Sequence, residues 1–392
     1  MRRRLSDLLQ GERRSEAAVS PASGEVLLTG ATGFVGMELL ARYLERGERK
    51  IVALVRARDD EAASERLDAV LGNLFGPRAA RHRPRVRAYA GDVTEPGLGL
   101  DPGLSERLAC RVSTIVHSAA SVSFTLPLAE ARSINVEGTR RLLEFADAAR
   151  ACGGLERYGH VSTAYVAGDH SGRFSERDLD LGQEFRNSYE RSKFEAEQLV
   201  RSHPGLPFTI MRPSIVVGDR RSGWTSAFNV LYWPLRAFAR GLFTAVPAIP
   251  SAPVDVVSVD YVADAIHELC ESEGGIGETY HLTAGPNAST IGEIASLASR
   301  YFRRPPPEVM PPAEFAAIPR GPAEESALDA SRAYFPYFSI RTVFEQSATR
   351  ARLEPEGIRV SPLGDYLERL LDFATRSRWG KRPITRVDAA AA

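Results

Sequence analysis

The chain alternates short apolar runs with amphipathic stretches, and that rhythm predicts a repeat of strands and helices. Val26-Leu27-Leu28 is followed by a helical pattern from Met37 to Arg46, and Lys50 to Val55 by a helical segment at Ser64 to Leu71. Val86 to Ala90, Thr114 to His117 and Tyr158 to Val161 continue the series. Short apolar runs bounded by polar turns read as strands buried on both faces, and strands alternating with helices predict a parallel sheet. Pro207 to Val217 reads as a sixth strand, after which Asp219 to Pro250, rich in aromatic residues and proline, breaks the rhythm. An insertion there lies over the end of the sheet and shapes a substrate pocket. Short strands at Val254 to Val257 and Thr279 to Thr283 flank a helix from Asp260 to Cys270, with further helical patterns at Ile291 to Phe302 and Leu363 to Ser377. The proline-rich stretch Arg304 to Pro322 reads as a linker or lid.

The first strand runs straight into Gly30-Ala-Thr32-Gly33-Phe34-Val35-Gly36. Strand, glycine turn and helix together form the context in which such a fingerprint binds a dinucleotide. Gly30 and Gly33 let bare main chain lie against a pyrophosphate, Gly36 lets the helix pack near the strand, and the helix N-terminus faces the phosphates. The fold expected is therefore α/β, a Rossmann-type doubly wound parallel sheet with a smaller, mostly helical C-terminal substrate region. Its divisions are an arm at 1–24, a nucleotide domain at 25–285 with an insertion at about 219–252, and a C-terminal region at 286–392.

Composition narrows the class. Apolar residues make up 43% and charged residues 26%, ordinary for a globular chain. Fifty basic and fifty acidic residues cancel, so no net field favours nucleic acid. Cys110, Cys152 and Cys270 have neither a zinc spacing nor the pattern of a disulfide framework, so the expectation is a reducing, cytoplasmic compartment with no metal. No window approaches a membrane span. Trp224 to Pro250 comes nearest, broken by arginines and prolines; it reads as core or pocket lining, with peripheral membrane contact as the alternative.

Candidate chemistry follows the strand ends. Arg56 lies about twenty residues beyond Gly36, where this architecture places the group that reads the adenosine ribose. Arg offers a positive fork to a 2′-phosphate, which favours NADPH, with Arg66 a second candidate; the alternative is a solvated surface arginine. Asp92, followed by Val93, ends the third strand and either bonds the adenine or closes a turn. Ser118, Ala119 and Ala120 let a cofactor approach the backbone, or form a tight turn. Asn135 caps a helix or helps hold the catalytic residues. Tyr189 and Lys193, four apart, share one helical face, and Thr163 follows the fifth strand. A lysine and a positive nicotinamide ring favour the phenolate of Tyr189. Thr163 and Tyr189 can then stabilise a developing oxyanion, with Tyr189 the proton donor and Lys193 fixing the nicotinamide ribose. Pro213 and Ile215 close over the ring.

TGATGFVG, NVEGT and the Thr163/Tyr189/Lys193 set resemble the extended short-chain dehydrogenase/reductases. LVRA at 54–57, HSAASVSF at 117–124, HVSTAYVAG at 160–168, YERSKFEAE at 189–197, RPSIVVGDRRSGW at 212–224 and PVDVVSVDYVADAI at 253–266 resemble fatty acyl-CoA reductases and thioester reductase domains. The likeness covers roughly residues 25–285, and more loosely the stretch 334–352, which is similar to the small C-terminal domain of fatty acyl-CoA reductases. It implies NADPH-dependent reduction of an acyl thioester to an aldehyde, and with a second hydride to a primary alcohol. With no adenylation or carrier segment in the chain, it also implies a thioester delivered by a separate carrier protein or as a CoA ester. The competing enzyme reading is an NAD-dependent sugar-nucleotide epimerase or dehydratase, or another short-chain reductase acting on a ketone such as a steroid or flavonoid. The non-enzyme reading is a nucleotide-sensing regulatory protein.

Overall fold

Glu25–Thr29 (β1), Ile51–Val55 (β2), Val86–Ala90 (β3), Val112–His117 (β4), Arg157–Val161 (β5), Phe208–Pro213 (β6) and Glu278–Leu282 (β7) form one parallel sheet in the order β7-β6-β5-β4-β1-β2-β3. The computed structural model describes residues 24–242, 244–319, 321, 325, 328–329 and 332–391. The N-terminal arm expected at 1–24 lies, but for Gly24, outside the described residues.

Helices cover both faces. Phe34–Arg46 (α1), Asp60–Phe75 (α2) and Val259–Glu271 (α6) bury Leu39, Leu40, Leu67, Leu71, Val262 and Ile266 against one face. Pro102–Ala109 (α3), Gly138–Ala151 (α4) and Ser188–Ser202 (α5) bury Leu108, Leu142, Phe145 and Val200 against the other. Strand order reverses between β1 and β4. Ligands of open α/β sheets bind at such a reversal, beyond the strands' carboxyl ends.

A second core joins the insertion to the C-terminal region. Leu231, Leu235 and Phe238 pack with Tyr337, Phe344, Leu367 and Leu370, and with Tyr165 and Phe194 from the nucleotide half. Much of the apolar stretch expected as core or pocket is thus buried, with Trp224 1% exposed, while Trp233 is 37% exposed. Among the described residues no helix is long and apolar enough to cross a membrane.

Three expectations are corrected. Pro207 to Val217 is two strands. The chain leaves the main sheet at Ser214, whose amide donates to Leu282, and Ile215–Val217 pairs instead with Val256–Ser258. The proline-rich stretch is no linker in its described part, because Glu308–Met310 pairs in parallel with Ala245–Pro247. Cys110 and Cys152 form a disulfide, Cα atoms 5.1 Å apart. Each follows the last residue of a helix, α3 and α4, and these helices pack together, which brings the two chain-distant thiols into contact.

Candidate active site

The glycine turn has the tight backbone its spacing predicts. Gly30 has φ +74°, and a Cβ there would lie 2.8 Å from the Ala119 amide nitrogen. On Gly36 a Cβ would lie 1.9 Å from the Gly30 carbonyl oxygen, so no larger residue fits. Gly33 caps α1 without a side-chain hydrogen bond. The first-turn amides of α1 therefore have no side-chain partner, and the bare cradle fits a pyrophosphate.

A cavity of about 540 Å³ opens from this turn across the carboxyl ends of β4, β5 and β6. Gly30, Gly33, Phe34, Val35 and Gly36 line one end, Ser118, Ala120, Pro213 and Ile215 the middle, and Thr163, Tyr189 and Lys193 meet there. A larger cleft of about 810 Å³ shares none of these residues and is walled by paired charges such as Arg42 with Asp264 and Arg220 with Asp260.

Thr163 follows β5 in extended conformation and its hydroxyl accepts the Tyr165 amide at 3.3 Å. Tyr189 and Lys193 sit in the first turns of α5, started by Asn187, whose side chain caps the Glu190 amide at 3.0 Å. Lys193 is 3% exposed, and its ammonium donates to the Val161 carbonyl at 2.8 Å. Burial pushes that ammonium down to about 8, against the pull of Glu197. Burial pushes the Tyr189 phenol up to about 12; a hydrogen bond with Thr163 opposes this and the charge of Glu190 adds to it. In the chain alone, desolvation thus outweighs the lowering expected from a neighbouring lysine.

Asn135 does not cap a helix. It lies in a wide π turn, Ser133–Glu137, and its side chain accepts from the Ser121 amide (2.8 Å) and donates to Ser192 Oγ (2.9 Å). The turn aims Asn135 between the 118–121 loop and α5.

Other expected cofactor residues lie outside the cavity. Asp92 accepts from the Thr94 amide and hydroxyl, both at 2.8 Å, and so closes its own turn. Val93 is buried against Gly138. Thr32 is half-buried beside the glycine turn, and the Ala119 amide, under Gly30, donates to Thr29. Arg56 and Arg66 are both exposed beyond β2, and Arg66 donates to the Arg56 carbonyl, so the two stand side by side.

Sequence reasoning missed the aromatic wall. Phe124 lies between Tyr189 (centroids 5.6 Å) and Tyr337 (5.1 Å, interplanar 20°), while Tyr165 meets Tyr337 edge-on at 4.9 Å. Tyr334, Ala227, Asn229 and Val230 complete that end of the cavity. Phe124 and Tyr165 stand inside the HSAASVSF and STAYVAG stretches, but nothing local points to Tyr334 or Tyr337.

Fold and glycine turn together define an NAD(P)-binding architecture of the extended short-chain dehydrogenase/reductase type. Residues 28–266 match the family described as male sterility protein, and the chain belongs to it. It is 31% identical over 278 residues to a nonribosomal peptide synthetase of Aspergillus flavus, covering 67% of this chain and 26% of that protein. With a carboxylic acid reductase of Mycobacterium tuberculosis the identity is 33% over 288 residues, 66% of this chain and 24% of that one. A putative fatty acyl-CoA reductase of Drosophila melanogaster is 27% identical, over 73% of this chain and 60% of its own length. The chain thus spans about a quarter or less of the length of several curated relatives it matches, the synthetases among them. Among solved structures, the terminal R domain of the myxalamid PKS-NRPS pathway matches with TM-score 0.80 and 27% identity, over 93% of each chain. A UDP-glucuronic acid 4-epimerase from Bacillus cereus shares the fold with TM-score 0.63 at 19% identity, over 92% of this chain and 98% of its own.

Proposed function

We propose that this chain uses NADPH to reduce an acyl thioester, presented on CoA or on a carrier protein, to an aldehyde and a free thiol. The observation that carries the reading is the meeting of Thr163, Tyr189 and Lys193 in one cavity between a bare glycine cradle and an aromatic wall. Gly30, Gly33 and Gly36 would hold the pyrophosphate, Lys193 the nicotinamide ribose, and Arg56 with Arg66 a 2′-phosphate. When bound, the cofactor supplies hydride to the carbonyl carbon.

Every other part of the step belongs to the protein. The Thr163 and Tyr189 hydroxyls orient the thioester carbonyl oxygen and stabilise the charge that develops on it. Tyr189 gives up the proton that the reduction consumes. The carbon–sulfur bond then breaks; thiol and aldehyde leave, one hydride and one proton having been added. The aromatic wall excludes water, which strengthens those hydrogen bonds. It also suits an acyl chain better than a second nucleotide, and the relatives' names, carboxylic acid reductase and fatty acyl-CoA reductase, agree with an acyl substrate.

The test is NADPH consumption with a panel of acyl-CoA and carrier-bound thioesters, products identified by mass. Aldehyde with stoichiometric thiol is expected, and primary alcohol would mean a second reduction at the same site. Purification with tightly held NAD and no thioester turnover would favour the epimerase reading instead.

A further inference from the structure

A run of buried hydrogen bonds leads from β1 to the catalytic helix, and each link has a direction. Thr29 Oγ1, next to Gly30, accepts the amide protons of Ser118 (3.2 Å) and Ala119 (3.1 Å). With both lone pairs engaged, its own proton goes to the remaining neighbour, His117 Nδ1, at 2.9 Å. Across the ring, Thr139 Oγ1 lies 3.2 Å from His117 Nε2. Thr139 already donates its proton to the Asn135 carbonyl at 2.7 Å, so toward the ring it accepts. The two hydroxyls therefore demand one form of His117: neutral, protonated on Nε2 and bare on Nδ1. The surroundings agree, because burial pushes the imidazole down to about 3 and the positive charge of Lys193 adds to the effect. The ring of His160, also buried, stands 5.5 Å away.

From Asn135 the run continues. Its side chain donates to Ser192 Oγ at 2.9 Å, and Ser192 donates to the carbonyl of Tyr189 at 3.1 Å. Residues 118–121, of which Ser118 and Ala120 line the cavity, are thus pinned at one end by Thr29 and at the other by Asn135.

We propose that His117 is a positioning residue, locked as the Nε2–H tautomer, that holds the floor of the dinucleotide site in register with Tyr189. Its side chain does not line the cavity. It orients Thr29 and Thr139, and they orient the two surfaces between which hydride and proton are exchanged. Misplacement by a fraction of an ångström at such a site costs rate rather than fold. The inference rests on the reductase reading for its kinetic consequences but not for its tautomer.

Two measurements test it. In protein labelled with ¹⁵N only at histidine, His117, assigned by the loss of its signals in His117→Phe, is expected to carry its proton on Nε2 at neutral pH. A proton on Nδ1, or on both nitrogens, overturns the proposal. In thioester assays Thr139→Val, which keeps the side-chain shape, is expected to lower kcat about tenfold with KM changed less than about twofold. The double variant with His117→Phe should fall no further than the worse single one, since both cut the same run. An unchanged kcat in Thr139→Val, or losses that multiply, overturns it. A parent that reduces no thioester would sink the substrate reading and leave the ring spectrum to decide the inference by itself.

Discussion

The hydroxyl of Tyr337 donates a 2.6 Å hydrogen bond to Oε1 of Glu190, the residue beside Tyr189, across a sequence separation of 147. Glu190 is 0% exposed, and Arg186 is its other partner, through its backbone amide at 2.9 Å and its guanidinium at 3.3 Å. Burial pushes the Glu190 carboxyl up, while Arg186 and the Tyr337 bond hold it back. The C-terminal region is thereby fastened to the first turn of α5, and Phe124 fills the space between the two tyrosine rings.

Tyr337→Phe keeps the ring stack and removes that donor. A buried carboxylate short of a donor costs about 1–3 kcal/mol, so thermal unfolding at pH 7 should shift downward. Losing the bond lets the Glu190 pKa rise further, so the penalty should shrink toward pH 5 as the carboxyl takes up a proton. An equal shift at both pH values would show that the bond contributes little.

Tyr189→Phe should lower kcat by about 10²–10⁴-fold, the usual worth of a positioned proton donor. NADPH affinity, followed by fluorescence titration, should change less than about threefold. Retained turnover would remove Tyr189 from the chemistry.

Arg56→Ala should raise KM for NADPH by tenfold or more and leave KM for NADH nearly unchanged, because a lost arginine–phosphate pair matters only where the 2′-phosphate exists. Arg66→Ala should act in the same direction, more weakly, through its contact with the Arg56 carbonyl. Equal effects on both nucleotides would make Arg56 an ordinary surface arginine.

Lys193 predicts a pH limb. Its ammonium is lost as pH rises through about 8, so kcat/KM should fall above that value, and Lys193→Arg should move the limb beyond the measured range. Its folded pKa lies below the ~10.4 of the unfolded chain, so from pH ~8 to ~10.4 this group makes the fold more stable as pH rises. Activity lost in that window without a fall in melting temperature assigns the limb to Lys193 and excludes unfolding.

The nucleotide half could be read from sequence because its signals are local. A strand, a glycine turn and the helix after it interact over a dozen positions, so Gly30, Gly33 and Gly36 announce their backbone roles by spacing alone. Tyr189 and Lys193, one helical turn apart, are legible for the same reason. Asp92 was ambiguous because a turn aspartate and a ligand aspartate look alike until the Thr94 amide and hydroxyl are seen to engage it.

Tertiary structure decided the rest. Cys110 meets Cys152, His117 meets Thr29 and Thr139, and Tyr337 meets Glu190 because helices and strands distant along the chain pack together. A hydrogen bond depends on distance and angle in space, and no periodicity along the chain carries either. Residue pattern therefore determined the sheet, the glycine cradle and the choice of Thr163, Tyr189 and Lys193 as candidates. The packing of the C-terminal region onto α5 determined what surrounds them.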